Sequence, residues 1–172
     1  MSNTFSILWP TLLTMLFTLT LVVLFLRQEN KRRKFEIRVK EGSELLRLRI
    51  QAYERLILLM ERLNPESLVL REQQHSWTSV QFQTHLLKII RREFDHNLAM
   101  QLYVSDKSWN KVKAAREGLI RLINTTASRI DVNAPALELG RFLIENMGGE
   151  LILYFNEAIN AIKDEMNEYY GK

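Results

Sequence analysis

The sequence of 172 residues contains no cysteine and only three prolines and six glycines. The absence of cysteine excludes a thiol nucleophile and any disulfide, and it suits a reducing compartment. No Gly-x-Ser-x-Gly element, Walker-type phosphate loop or dinucleotide fingerprint occurs either. These absences argue against a hydrolase or nucleotide enzyme of a recognised kind. We therefore expect no enzymatic activity, no catalytic residue, no cofactor and no small-molecule substrate.

Charged side chains are absent from the first 26 residues. Residues 7–26 form an apolar run of twenty residues, and a helix of about 20 residues crosses the hydrocarbon layer of a membrane once. A cleaved export signal has a positive N-terminal region, a shorter apolar core and a small-residue cleavage site, and this run has none of them. We predict an uncleaved transmembrane helix over residues 7–26, with residues 1–6 as a short N-terminus outside the cytoplasm.

A cluster of basic residues follows the apolar run directly. Its members nearest the run are Arg27, Lys31, Arg32, Arg33 and Lys34. Residues 27–63 contain 11 basic and 6 acidic side chains, whereas residues 64–172 contain 13 and 14, so the formal net charge of +4 arises beside the membrane. Basic loops stay cytoplasmic, and such segments are attracted to anionic lipid head groups. We expect the cluster to contact the head groups of a bacterial inner membrane, with the C-terminal domain in the cytoplasm.

Residues 27–63 predict a basic juxtamembrane stalk helix, because their apolar positions follow alternating steps of four and three. The predicted packing stripe consists of Phe35, Val39, Leu46, Tyr53, Leu56, Met60 and Leu63, with Gly42 and Arg49 at two further stripe positions. Leu45 and Leu59 are among the residues that widen the apolar face, and this width favours packing in a bundle over an isolated two-stranded coil. The transmembrane helix is expected to continue into the stalk, which becomes the first helix of the domain.

Residues 64–172 predict a cytoplasmic helical domain. Pro65 ends the stalk helix, and Thr78 with Gln81 fits a capping box that opens the next long helix. The predicted helices are Glu66–Leu70, Ser79–Leu102, Lys107–Arg129 and a last helix from Pro135, with Gly148-Gly149 as a candidate break. No hairpin signal is evident. The predicted fold class is therefore all-α: one N-terminal transmembrane helix that continues into a stalk, followed by a helical bundle.

Two Glu-x-x-His pairs are the sharpest candidates for chemistry. They are Glu72 with His75 and Glu93 with His96, and di-iron carboxylate bundles take ligands from such pairs on facing helices. The first pair lies in a stretch without apolar periodicity, and the second flanks the polar side of its own helix. Two matches of four residues arise easily by chance in a chain rich in glutamate. We therefore predict no metal site, and these four residues remain the candidates for one.

Two stretches carry a resemblance to a known family. They are IQAYERLILLMERLNPESLVLR, residues 50–71, and FDHNLAMQLYVSDKSWNKVKAAREGLIRLIN, residues 94–124. In these stretches the chain resembles an uncharacterised family of bacterial single-span membrane proteins, which contains a domain of unknown function. The resemblance implies an N-terminal anchor, a basic flank and a helical cytoplasmic region. It implies no activity, ligand or site residue.

The functional hypothesis that these observations favour is a membrane-anchored helical adaptor or scaffold that acts through self-association or partner docking. Its expected partners are the anionic head groups of the bilayer and either a second copy of the chain or another membrane or cytoplasmic protein. One alternative is a membrane-tethered contact to nucleic acid or the ribosome through Lys31–Lys34 and the Lys88, Arg91 and Arg92 face. The other alternative is a helical metal enzyme or sensor that uses the Glu-x-x-His pairs.

Overall fold

The structure, a computed structural model, describes residues 2–170, without the side chains of residues 2–9, 11, 35–38, 41 and 170. This part of the chain contains six α-helices, one 3₁₀ helix and no strand, which confirms the predicted all-α class. The helices are α1 (Ser2–Leu63), α2 (Pro65–Glu72), α3 (Ser79–Asn97), the 3₁₀ helix (Leu98–Leu102), α4 (Asp106–Ala127), α5 (Ala136–Glu145) and α6 (Gly149–Tyr170).

The chain divides into two compact units, and the division falls inside α1 between Arg47 and Leu48. The first unit consists of the helix up to Arg47, and its apolar side chains from Leu12 to Leu26 are exposed. The second unit contains the remaining turns of α1 together with α2 to α6. The predicted boundary between stalk and helical domain lies after Leu63. In the structure, residues 48–63 of α1 belong to the second unit.

Local polar signals set where the helices of the second unit begin. The Asn64 side chain accepts from the backbone N–H of Glu66 at 3.1 Å, so that it caps α2. At α3 the backbone N–H of Thr78 donates to Gln81 Oε1 at 3.0 Å, and the N–H of Gln81 donates to Thr78 Oγ1 at 3.4 Å. The predicted capping box is therefore confirmed. These bonds satisfy N–H groups that have no acceptor within the helix.

Helices α3 and α5 begin side by side, because the segments before them are hydrogen-bonded to each other. The N–H of Ser79 donates to the carbonyl of Ala134 at 2.7 Å, and the N–H of Ala136 donates to the carbonyl of Trp77 at 2.9 Å. Both donors lie in the first turn of a helix, where the backbone has no helical acceptor. The two connections therefore fix the common starting point of these helices.

One predicted helix ends earlier than expected, and the candidate break in the last helix is present. The helix predicted to run to Leu102 changes to 3₁₀ geometry after Asn97, whose side-chain amide donates to the carbonyl of Glu93 at 2.9 Å. This carbonyl is the acceptor that the backbone N–H of Asn97 uses in an α-helix, so the side chain competes with the helical ladder. The helix predicted from Pro135 is interrupted at the candidate break, since α5 ends at Glu145 and α6 begins at Gly149.

A single hydrophobic core holds the second unit together, and every α-helix of the unit contributes to it. Its largest fully buried side chains include Tyr53 and Leu56 from α1, Phe82 from α3, Leu119 from α4 and Leu139 from α5. Helix α4 packs most extensively against α6. Gly118 permits this approach, because a Cβ atom there would lie 3.0 Å from Tyr154 Cδ2. The bundle therefore depends on a close contact between its two longest later helices.

Candidate functional site

The basic cluster lies on α1 directly after the apolar run, and all five of its side chains are exposed. Arg33 pairs with Glu29, with Nε and Oε1 3.1 Å apart. Arg27, Lys31 and Lys34 instead line a shallow groove together with Leu24, Gln28 and Asn30. The cluster is therefore a cationic surface of the first unit, next to exposed leucine and phenylalanine side chains.

The predicted packing stripe passes from exposed to buried surroundings along α1. Val39 and Leu46 are 56% and 40% exposed, and both belong to the first unit. Tyr53, Leu56, Met60 and Leu63 are buried in the core of the second unit. The side chain of Phe35 lies outside the described residues.

Three of the four candidate metal ligands have partners, and none of these contacts joins a glutamate to the histidine of its own pair. Glu72 Oε2 lies 2.9 Å from His85 Nε2 and not against His75, which is exposed. His96 Nε2 lies 3.0 Å from a guanidinium nitrogen of Arg55. Among the described residues there is no group of three or more His, Asp or Glu side chains that could hold a metal ion. The two Glu-x-x-His pairs therefore do not form a ligand set in this part of the chain.

Glu93 requires a correction, because the sequence analysis placed it on the polar side of its helix. Glu93 is only 8% exposed, and its Oε1 pairs with a guanidinium nitrogen of Arg62 at 3.2 Å. Residues 86, 90, 93 and 97 follow steps of four and three, so position 93 lies on the apolar face of α3. Glu93 therefore joins α3 to α1 by an ion pair at the edge of the core.

A hydrogen-bond network around Glu165 of α6 forms a site that no sequence pattern indicated. The Glu165 carboxylate accepts from the N–H of Ser105 at 2.8 Å and from the Ser105 hydroxyl at 2.6 Å. It also accepts from the Ser108 hydroxyl and, at 3.2 Å, from the Tyr53 hydroxyl. Four hydrogen bonds thus connect α6 to the N-terminus of α4 and to α1. We call Tyr53, Ser105, Ser108 and Glu165 the Glu165 network.

The Glu165 network combines burial with charge. Burial raises the pKa of Glu165, but the hydrogen bonds from Ser105, Ser108 and Tyr53 outweigh burial, so the pKa lies below its usual value. Burial, followed by the nearby Glu165 carboxylate, raises the pKa of Tyr53. The network therefore consists of an ionised carboxylate and a neutral phenol. An ionised carboxylate is also favourable at the N-terminus of α4, where the helix dipole is positive.

This arrangement suits the joining of helices better than proton transfer. A general base works best when its pKa lies near the operating pH, and the shift of the Glu165 pKa is in the opposite direction. Ser105 is also the N-cap of α4, since its hydroxyl oxygen accepts from the N–H of Ser108 at 3.2 Å. No sequence period indicates this network, because its members, apart from the two serines, are separated by 52 to 112 residues. Only the capping role of Ser105 could be predicted.

The network lies at the end of the second unit where the chain enters it. Arg49, in the first turn of this unit, stacks on the ring of Tyr169 with 4.5 Å between guanidinium carbon and ring centroid. Arg49 Nε is buried, and among the described residues it has no hydrogen-bond partner. Lys111 of α4 and Glu157 of α6 form a further ion pair, and both line a surface groove together with Ser105, Ser108 and Glu165. Polar contacts therefore hold the C-terminal half of α6 against α1 and α4.

A second polar contact joins α2 to α3 at the corner of the bundle. His85 contacts Glu72 through Nε2, and its ring packs edge-on against Trp77 with 4.7 Å between the ring centroids. Burial raises the pKa of Glu72, while hydrogen bonds from His85 and Arg71 lower it further than burial raises it. His85 and His96, which the sequence spacing puts on one helix face, therefore have different partners. The His85 contact is a helix junction, with an aromatic ring on one side of the imidazole.

Comparisons with known proteins give one positive finding. No curated protein and no solved structure matches the chain. The model of one family matches residues 1–169, and that family is of unknown function. The match confirms the resemblance to an uncharacterised family, while the bacterial origin and the single membrane span stay predictions. Because the match covers nearly the whole sequence, the chain belongs to the family of unknown function DUF7935.

Proposed function

We propose that this protein is a membrane-anchored helical adaptor or scaffold without enzymatic activity. The observation that carries the proposal is the exposed apolar stretch of α1 that ends at a basic flank. By length and composition, one segment of the described residues, Leu12–Lys34, could cross a membrane, and none of it is buried within the protein. Exposed leucine, valine and phenylalanine side chains in such a run need an apolar environment, which a bilayer supplies.

The distribution of charge supports an orientation for the anchor. The basic residues of the flank begin at Arg27, and no Lys or Arg precedes them. Since basic flanks stay on the cytoplasmic side, we infer an N-terminus outside and a helical unit in the cytoplasm of a bacterial cell. The lipid head groups beside Arg27 are then the first partner of the chain.

The adaptor role rests on two features of the helices. The Glu165 network and the Lys111–Glu157 pair join helices, and the lowered pKa of Glu165 does not suit a general base, so the second unit is a binding scaffold in this proposal. Val39, Leu45 and Leu46 are exposed on the part of α1 just before this unit. Copies anchored in one membrane would present this surface in parallel, and alternating steps of three and four suit helix association. We infer that the stalk mediates self-association, with a membrane or cytoplasmic protein as the other class of partner.

The experiment is a mass determination of the full chain after gentle detergent extraction, with identification of proteins that co-purify. Leu46→Glu introduces a charge into the exposed part of the stripe. Leu58→Glu is the matched control, because Leu58 is also an exposed leucine of α1 but does not lie on the stripe. We expect wild type and Leu58→Glu to form the same particle with more than one chain or with a partner, and Leu46→Glu to form a smaller one.

A wild-type particle that contains one chain and no partner would contradict the adaptor proposal. An equal effect of both substitutions would contradict the role of the stripe, because a general effect of the added charge would then explain the loss. Circular dichroism of each variant establishes that the helices remain, so that unfolding is separated from loss of association.

A further inference from the structure

We propose that Arg27, Lys31 and Lys34 form a binding face for the head group of an anionic phospholipid, and that Arg32 and Arg33 lie outside this face. The inference rests on the proposed membrane anchor and deepens it. It separates the five cations of the basic cluster, which the sequence alone treats as equivalent, into a binding group and a non-binding group. The helix geometry and the Arg33–Glu29 ion pair carry this separation.

Helix geometry places the three cations together. An α-helix turns by about 100° per residue, so Arg27, Lys31 and Lys34 lie within an arc of about 60° and extend over about 10 Å of helix length. They line one surface groove of about 610 Å³. Arg32 is rotated by about 140° from Arg27 on the same helix. The cluster therefore has a cationic face and not a uniform cationic ring.

The charges on the face differ from those beside it. Arg33 points to Glu29, and their Nε and Oε1 atoms are 3.1 Å apart, so that a carboxylate offsets its charge. Among the described side chains no carboxylate pairs with the three cations of the face: the ion pairs of this segment involve other residues. A phosphate group that approaches the face therefore displaces no acidic side chain of the described residues.

The other residues of the groove fit a phospholipid in particular. Leu24 lies on the membrane side of the cations and offers an apolar contact for an acyl chain, while Gln28 and Asn30 offer amide donors for phosphate or glycerol oxygens. Arg27 begins immediately after the apolar run, and Lys34 lies about 10 Å further along the helix. The head-group layer of one leaflet is roughly 5–7 Å deep, and long basic side chains reach back toward it. A lipid satisfies both ends of the groove, whereas a free phosphate satisfies only the cations.

The test compares two triple variants of the full chain that lose equal charge. Arg27→Gln/Lys31→Gln/Lys34→Gln removes the face, and Arg32→Gln/Arg33→Gln/Lys40→Gln removes three cations outside it. Native mass spectrometry in mild detergent measures the binding of added phosphatidylglycerol, with phosphatidylcholine as the neutral lipid and inorganic phosphate as a competitor. We expect wild type to prefer phosphatidylglycerol, the face variant to bind it at least about tenfold more weakly, and the control variant to change by less than about threefold.

Three results would overturn the proposal. If both triple variants lost the same affinity for phosphatidylglycerol, diffuse charge attraction would explain the binding, and a specific face would not. If wild type bound phosphatidylglycerol no better than phosphatidylcholine, the proposed ligand would be wrong. Displacement of the lipid by inorganic phosphate at equal concentration would assign the groove to free anions. Alkaline extraction of membranes that contain wild-type protein tests the anchor separately. Retention in the membrane without lipid preference therefore contradicts this inference alone, and release into the supernatant contradicts the proposed function.

Discussion

Glu165 is the charged side chain whose removal should affect the helical unit most clearly, since Tyr53, Ser105 and Ser108 all donate to it. We predict that Glu165→Gln lowers the free energy of unfolding by about 2 kcal/mol, because hydrogen bonds to an ionised group contribute more than neutral ones. Glu168→Gln is the control, since Glu168 is an exposed acid of the same helix, and it should change stability by less than about 0.5 kcal/mol. Urea denaturation in detergent measures both. Equal effects would mean that the network does not stabilise the unit.

The lowered pKa of Glu165 also predicts the pH dependence of stability. A carboxyl group whose pKa is lower in the folded state stabilises that state above its unfolded pKa, and this contribution is lost as the pH falls through the folded pKa. The stability difference between wild type and Glu165→Gln should therefore be constant near neutral pH and shrink below the normal glutamate pKa of about 4.3. Thermal denaturation over this range measures the difference. A stability difference that stays unchanged down to the lowest pH would contradict the lowered pKa of Glu165.

Helices α4 and α6 approach closely at Gly118, and this contact yields a prediction about packing. A Cβ atom at Gly118 would lie 3.0 Å from Tyr154 Cδ2 and 3.1 Å from Leu151 Cδ1. We predict that Gly118→Val destabilises the unit by about 1–3 kcal/mol, because extra methyl groups overpack this contact. At Gly149 nothing lies within 4 Å of an added Cβ, so Gly149→Val is the matched control and should cost much less. Melting temperatures that fall equally would show that β-branching alone, not packing, causes the loss.

Elements whose signals are local could be predicted, and those that depend on contacts between distant segments could not. Thr78 and Gln81 lie three residues apart, so the capping box could be predicted from the sequence, and the structure confirms it. The change of α3 to 3₁₀ geometry follows from one competing amide on Asn97, which a periodic pattern does not indicate. Glu93 was predicted on the polar side of α3 because its charge was given more weight than its position on the apolar face. The Glu165 network was missed because its partners meet only in the folded bundle.

The chain combines an apolar helical run, a basic flank and a compact helical unit. The family match covers residues 1–169, so the apolar run and the helical unit both belong to the sequence that the family shares. We infer that anchoring and binding are parts of one function, since an adaptor must present its helices at a membrane. We therefore propose a topology in which α1 crosses a membrane with its basic flank on the cytoplasmic side.

The most direct test of this claim uses the absence of cysteine, because any introduced cysteine is then the unique thiol of the chain. Asn3→Cys and Asn110→Cys place a thiol on either side of the predicted span, and a membrane-impermeant maleimide is added to right-side-out membrane vesicles. The proposed topology predicts labelling of the Asn3→Cys variant in intact vesicles and labelling of the Asn110→Cys variant only after the vesicles are opened. Labelling of the Asn110→Cys variant in intact vesicles, or recovery of either variant in the soluble fraction, would contradict it.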